Sequence, residues 1–197
     1  MNLIIQNSLQ KSITYNEYRD LVSKLSNQAK TSGKEQLEHL INFTKLNDAR
    51  MHRLDKTLQT TSACKTFLEN IKSEYIWLVL TESWCGDAAQ ILPVLNKMRQ
   101  ESDKIDLRIV FRDENDALMD LFLTNNTRSV PKLIILDKNT LEVKADFGPR
   151  PAGAKQLITD YKATHGIVDE TAKIELQKWY LQDKGISTQN EIIELMR

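Results

Sequence analysis

The 197-residue chain is long enough to bury a sizeable core as one domain with extensions, and its 27 basic residues balance 27 acidic ones. No Lys/Arg-rich tract favours nucleic acid, no apolar run reaches membrane-spanning length, and Met1–Gln6 lacks the basic and long apolar regions of a secretion signal. Two cysteines without such a signal fit the reducing cytoplasm, and six glycines and four prolines argue against long flexible linkers.

Tyr15, Tyr18, Leu21, Val22 and Leu25 recur at helical spacing. Thr14, with Glu17 three residues on, supplies a capping box that starts this helix. After Ser32-Gly33 a second stripe, Leu37, Leu40, Ile41, Phe43 and Leu46, continues through Met51, Leu54 and Leu58. Apolar faces this wide pack on something. The core or the paired helix is the simplest target, with a dimer contact as the alternative; no oligomeric state is legible. Residues 1–60 therefore read as an N-terminal helical extension.

Ala63 to Ile71 reads as a helix carrying Cys64 near Phe67 and Leu68. The apolar run Tyr75–Leu80 reads as a buried strand. Ala88, Ile91, Leu92, Leu95 and Met98 mark a helix from Ala88 to Arg99. Pro93 lacks an N–H and crowds the carbonyl four residues back, so a bend near Ala89 is expected. A strand from Ile105 to Phe111 leads into an acidic loop, Asp113 to Asp116. Then Arg128-Ser129-Val130-Pro131 precedes the run Leu133–Leu136. A turn at Asp137–Thr140 links that run to Leu141–Phe147 as an antiparallel hairpin. Gly148 follows, then a helix from about Pro151 to Tyr161. Beyond residue 165 the chain reads as a C-terminal helical extension, 166–197. Its first helix, Ala172 to Gln182, ends at Lys184-Gly185, and Ser187 or Thr188 caps a last one, Asn190 to Met196. Trp179 and Tyr180 read as packing anchors.

The stretch Thr81-Glu82-Ser83-Trp84-Cys85-Gly86-Asp87-Ala88 carries the most chemistry. Cys85 falls where the strand ends and the helix begins. Free N–H groups and the macrodipole there favour a negative charge, which lowers a thiol pKa and makes the thiolate a nucleophile. The competing reading is a cysteine packed as a small hydrophobe.

Order and spacing across residues 61–165 resemble the thioredoxin superfamily. The resemblance rests on Trp84-Cys85-Gly86-Asp87-Ala88, on Pro93 eight residues after Cys85, and on Val130-Pro131 before an apolar strand. It implies an α/β fold: a thioredoxin-like mixed sheet flanked by helices, here with helical N- and C-terminal extensions. It also implies a cis Val130–Pro131 bond, with Pro131 beside Cys85 and the Val130 backbone pairing with a bound chain. Three positions depart from the family pattern. Ala88 replaces the second motif cysteine, so no disulfide forms within the motif. Val79 stands where classical members bury a carboxylate. Asp87 follows the motif glycine in place of proline. The Trp-Cys-Gly-Asp-Ala form itself is similar to a bacterial group of thioredoxin-like proteins.

These residues imply a monothiol thiol–disulfide exchange through Cys85, acting on a disulfide-containing protein or a low-molecular-weight thiol. Val130 and Pro131 would bind substrate, and Trp84 and Gly86 would support the thiol. Cys64 is the candidate resolving thiol, or else a packing cysteine. Glu82 is a candidate proton acceptor, or a surface carboxylate held by nearby backbone. Asp87 is a proton acceptor, a discriminator against anionic substrates, or a solvated helix-start residue. Lys132 and Arg128 hold an anionic partner or are simply solvated. The alternative function is a non-enzymatic binding module that has lost dithiol catalysis. Peroxide reduction ranks third, with Arg128 as its candidate activating residue. His39, His52 and His165 share no ligand-like spacing and the cysteines are too few for tetrahedral zinc, so neither metal nor cofactor is expected.

Overall fold

The run from Trp77 to Thr81 is buried at every position, the burial pattern of a strand covered on both faces. In the computed structural model, which describes residues 1–197, it belongs to β1 (Tyr75–Thr81). β1 pairs in parallel with β2 (Ile105–Phe111) and antiparallel with β3 (Lys132–Asp137), which pairs antiparallel with β4 (Val143–Phe147). The sheet order is β2-β1-β3-β4. Register sets Tyr75 opposite both Ile105 and Asp137, so the C-terminal end of β1 lies beside the start of β3. That juxtaposition brings the cysteine loop next to Val130 and Pro131.

Four helices precede the sheet: α1 (Asn2–Gln10), α2 (Tyr15–Asn27), α3 (Glu38–Thr57) and α4 (Ser62–Asn70). α5 (Ala88–Arg99) joins β1 to β2, and the single turn α6 (Asp116–Met119) follows β2. α7 (Ala152–His165), α8 (Glu170–Asp183) and α9 (Ile186–Leu195) complete the chain. The outcome is an α/β fold with a mixed sheet flanked by helices and helical segments at both ends. α5 buries Ala88 to Leu95 without a break, with Pro93 inside the helix. No helix is long and apolar enough to cross a membrane.

The capping box forms as expected. Thr14 accepts the Glu17 N–H, and the Glu17 carboxylate accepts the Thr14 N–H at 2.7 Å. Just before it, Ile13 and Ile109 exchange backbone hydrogen bonds, which covers the outer edge of β2. Helix α1 carries no expectation from the sequence, and two expectations need correction. β4 begins at Val143, since Leu141 takes a left-handed φ of 58° in the turn. α9 begins at Ile186 and not Asn190: Lys184 and Gly185 are both left-handed, and the Asp183 carboxylate accepts the Ser187 N–H. Thr188 is buried inside this helix and caps nothing.

Candidate functional site

Cys85 sits in the loop between β1 and α5, with its residue only 7% exposed. Its thiol donates to the Val130 carbonyl at 3.2 Å, and the Val130–Pro131 peptide bond is cis. The Val130 N–H makes no hydrogen bond of its own. The N–H groups of Ala88 and Asp87 favour a thiolate at this sulfur, as its position before the helix implies. Burial opposes them more strongly, and the Asp87 charge adds to burial. The thiol is pushed up to about 12. The expectation of a lowered pKa from helix position alone is corrected: in this enclosure desolvation wins, and the resting group is the neutral thiol.

Asp87 is not a solvated helix-start residue. It is 8% exposed, accepts the Tyr180 hydroxyl at 2.9 Å, and pairs with Arg150 at 2.8 Å. α8 is thereby fastened to the motif. Sequence reasoning gave Tyr180 only a packing role and missed Arg150; nothing local marks either as a partner of a residue so distant in sequence.

Glu82 is fully buried, which rules out the surface-carboxylate reading. Its carboxylate accepts the Ser32 hydroxyl and, at 2.9 Å, the Asp113 N–H. Burial raises its pKa, and those two donors counter part of the rise. Ser32 Oγ also accepts the Ser83 N–H at 2.8 Å, while the hydroxyls of Thr31, Thr44 and Ser83 bond one another. This buried network pins the loop that carries Cys85 to the segment before α3.

Trp84 is half-buried, with the Arg112 guanidinium 5.0 Å from its ring centre. Gly86 faces α3: a Cβ there would lie 3.7 Å from Arg50 Nη1. Arg50 in turn donates to Asn47 Oδ1 at 3.1 Å, and Asn47 donates to the Ser83 carbonyl at 2.9 Å. Neither Asn47 nor Arg50 was singled out from the sequence. The only signal was their place on the stripe of α3 that also holds Phe43 and Leu46. Lys132 lines a different pocket from Cys85 and is buried against Asp146 at 2.8 Å. Arg128 stays near the site but is exposed and paired with Asp116 and Asp120.

Cys64 and Cys85 are not brought together. Cys64 is buried on α4, its pKa raised to about 11 by burial and by Glu101, and its neighbour Lys65 lies 3.9 Å from Glu101. Glu101 follows the C-terminal end of α5, whereas Cys85 precedes its N-terminal end. Twelve helical residues span about 18 Å, beyond the roughly 7 Å Cα separation a disulfide allows.

Above Cys85 opens a cleft of about 940 Å³. α3 forms one wall through Phe43, Leu46 and Arg50, and α8 faces it through Lys173, Ile174 and Gln177. Trp84, Cys85 and Val130 lie in the same lining. The segments that flank the sheet unit in sequence thus build the approach to the thiol.

A family model described as thioredoxin matches residues 33–162. Two crystal structures are similar in fold. One is a protein of unknown function from Pseudomonas aeruginosa, 18% identical, with a TM-score of 0.57 over 93% of this chain and 97% of that one. The other is an HIV epitope scaffold, 16% identical, with a TM-score of 0.57 over 93% and 98%. No curated protein gives a significant match.

Proposed function

The chain belongs to the thioredoxin family, and from that premise we propose that it carries out monothiol thiol–disulfide exchange through Cys85. The observation that carries this reading is the setting of the sulfur. It stands before a helix, beside Val130 and a cis Pro131, at the foot of an open cleft. Once deprotonated, Cys85 attacks one sulfur of a bound disulfide. A new S–S bond forms, the old one breaks, and the departing half leaves as a thiolate that takes up a proton. The unbonded Val130 N–H is free to receive a carbonyl of the bound molecule. Because position 88 is alanine and Cys64 is remote, a second, external thiolate releases the mixed disulfide and regenerates Cys85.

We assign the chemistry to residues 61–165, and the walls of its cleft to 1–60 and 166–197. Two unpaired cysteines suit a reducing compartment such as the bacterial cytoplasm.

The test is exchange with a small disulfide, read by mass spectrometry of the mixed disulfide on Cys85. Wild-type protein should form the adduct and Cys85→Ser should not. Activity in Cys85→Ser would remove Cys85 from the mechanism. Insulin reduction, which favours a dithiol, should be poor.

One observation favours a second reading, a binding module without turnover: the raised pKa of Cys85 leaves little thiolate at neutral pH. Under that reading the cleft binds its partner equally well when Cys85 is serine, and no adduct forms.

A further inference from the structure

The chain has no net charge, yet the lining of the cleft over Cys85 carries an excess of basic residues. Five arginines line it, Arg50, Arg53, Arg112, Arg128 and Arg150, against two carboxylates, Asp87 and Glu170. Several of its cations are already matched. Arg112 pairs with Asp113, Arg128 with Asp116 and Asp120, Arg150 with Asp87, and Lys173 with Glu170. Arg50, Arg53 and Lys178 line the cleft with no carboxylate at ion-pair distance. A cleft with low-dielectric walls and one excess sign concentrates ligands of the other sign.

Arg50 is the best placed of these three. It is half-buried, and its guanidinium is held by Asn47, which also grips the cysteine loop. It stands 3.7 Å from where a Cβ on Gly86 would be, one residue from the thiol. Burial and Arg53 both lower its pKa, and only Asp87 counters them. An anion in the cleft would offset both effects. Leu46, Ile174 and Leu181 supply exposed apolar surface on the facing walls, and the Val130 N–H offers a donor for an amide carbonyl. The volume suits a ligand of a few residues.

We propose that the cleft is a binding site for a small, peptide-like anionic thiol or its disulfide, with a carboxylate of the ligand held by Arg50. This deepens the exchange reading above and rests on it for the chemical step. Cys85 takes the sulfur of the anionic half, and the other half leaves as thiolate. A second molecule of the same anionic thiol then attacks the mixed disulfide as its thiolate. The products are Cys85 and the symmetric small-molecule disulfide, so one disulfide is exchanged for another with no outside oxidant.

Three small disulfides test this on the wild-type protein: oxidised glutathione (anionic), hydroxyethyl disulfide (uncharged) and cystamine (cationic). Adduct formation on Cys85 should run in that order, with roughly a tenfold preference for the anionic over the uncharged probe at low salt. The preference should shrink at high salt. Arg50→Gln should abolish most of it, and Arg50→Lys should restore it in part. Exchange with all three at rates that ignore their charge overturns the proposal and leaves the exchange reading standing. A separate readout needs no chemistry: calorimetric binding of S-methylglutathione to Cys85→Ser, weakened roughly tenfold by adding Arg50→Gln. Binding of this kind without any adduct in the wild type overturns the exchange reading and keeps the anion site. Absence of both binding and charge preference removes the site.

Discussion

The Tyr180 hydroxyl donates to the Asp87 carboxylate at 2.9 Å, across a separation of 93 positions in the chain. Asp87 precedes the first residue of α5 and Tyr180 lies on α8, so a C-terminal helix is tied directly to the residue two beyond the thiol. Arg150 completes the cluster from the other side. The Asp87 charge that this cluster holds in place also acts against a thiolate at Cys85.

Asp87→Asn should therefore lower the Cys85 pKa. Burial and Asp87 raise the wild-type thiol to about 12. Below that value the thiolate fraction grows about tenfold per pH unit, so alkylation of the wild-type protein should keep accelerating through the alkaline range. Removing the carboxylate charge favours the thiolate, and Arg150 loses its partner but keeps its charge. In a Cys64→Ser background, iodoacetamide should label Asp87→Asn about tenfold faster than the parent at neutral pH. An unchanged rate would show that burial alone sets the thiol.

Ser32→Ala should destabilise the fold by about 1–3 kcal/mol, read as a lower urea midpoint. The Ser32 hydroxyl satisfies both the buried Glu82 carboxylate and the Ser83 N–H. Glu82 adds a pH signature. Its folded pKa lies above the ordinary carboxylate value, so the protonated form is favoured by folding. Its contribution is then greatest below the ordinary value and is lost as pH rises through the raised one. Glu82→Gln should flatten that part of the stability profile.

Gly148→Ala should cost at least about 2 kcal/mol. Gly148 has a φ of 126°, and a Cβ there would lie 2.2 Å from the Pro131 carbonyl oxygen. Backbone must move, and the backbone in question belongs to the proline after Val130. Thermal or urea denaturation measures the loss. A variant as stable as the wild type would mean that the Pro131 segment relaxes freely.

Cys64→Ser should leave adduct formation on Cys85 and its release by external thiol at their wild-type rates. The two cysteines lie at opposite ends of α5. An intramolecular disulfide detected by non-reducing peptide mapping of the folded protein would contradict this arrangement.

The order of elements was legible because its signals are local. Continuous apolar residues mark β1, helical spacing marks α5, and Thr14 with Glu17 marks the start of α2. Trp84-Cys85-Gly86 located the thiol for the same reason, whereas Val130-Pro131 was placed beside it only by the resemblance to thioredoxins. The thiol's state was not legible. Helix position argues for a thiolate, whereas enclosure by Val130, Asp87 and their neighbours argues against one, and enclosure depends on residues far apart in the chain. The partners of Asp87, the closure of Glu82 by Ser32, and the pairing of α3 and α8 as walls are likewise tertiary. Periodicity shows that a helix has an apolar face but not which element meets it. The sequence by itself therefore determined the order of the strands and of most helices, and the place of the cysteine between β1 and α5. Only the packing of both ends against the sheet decided the thiol's protonation and the charge of the space above it, because desolvation and Coulomb energy depend on distances in space.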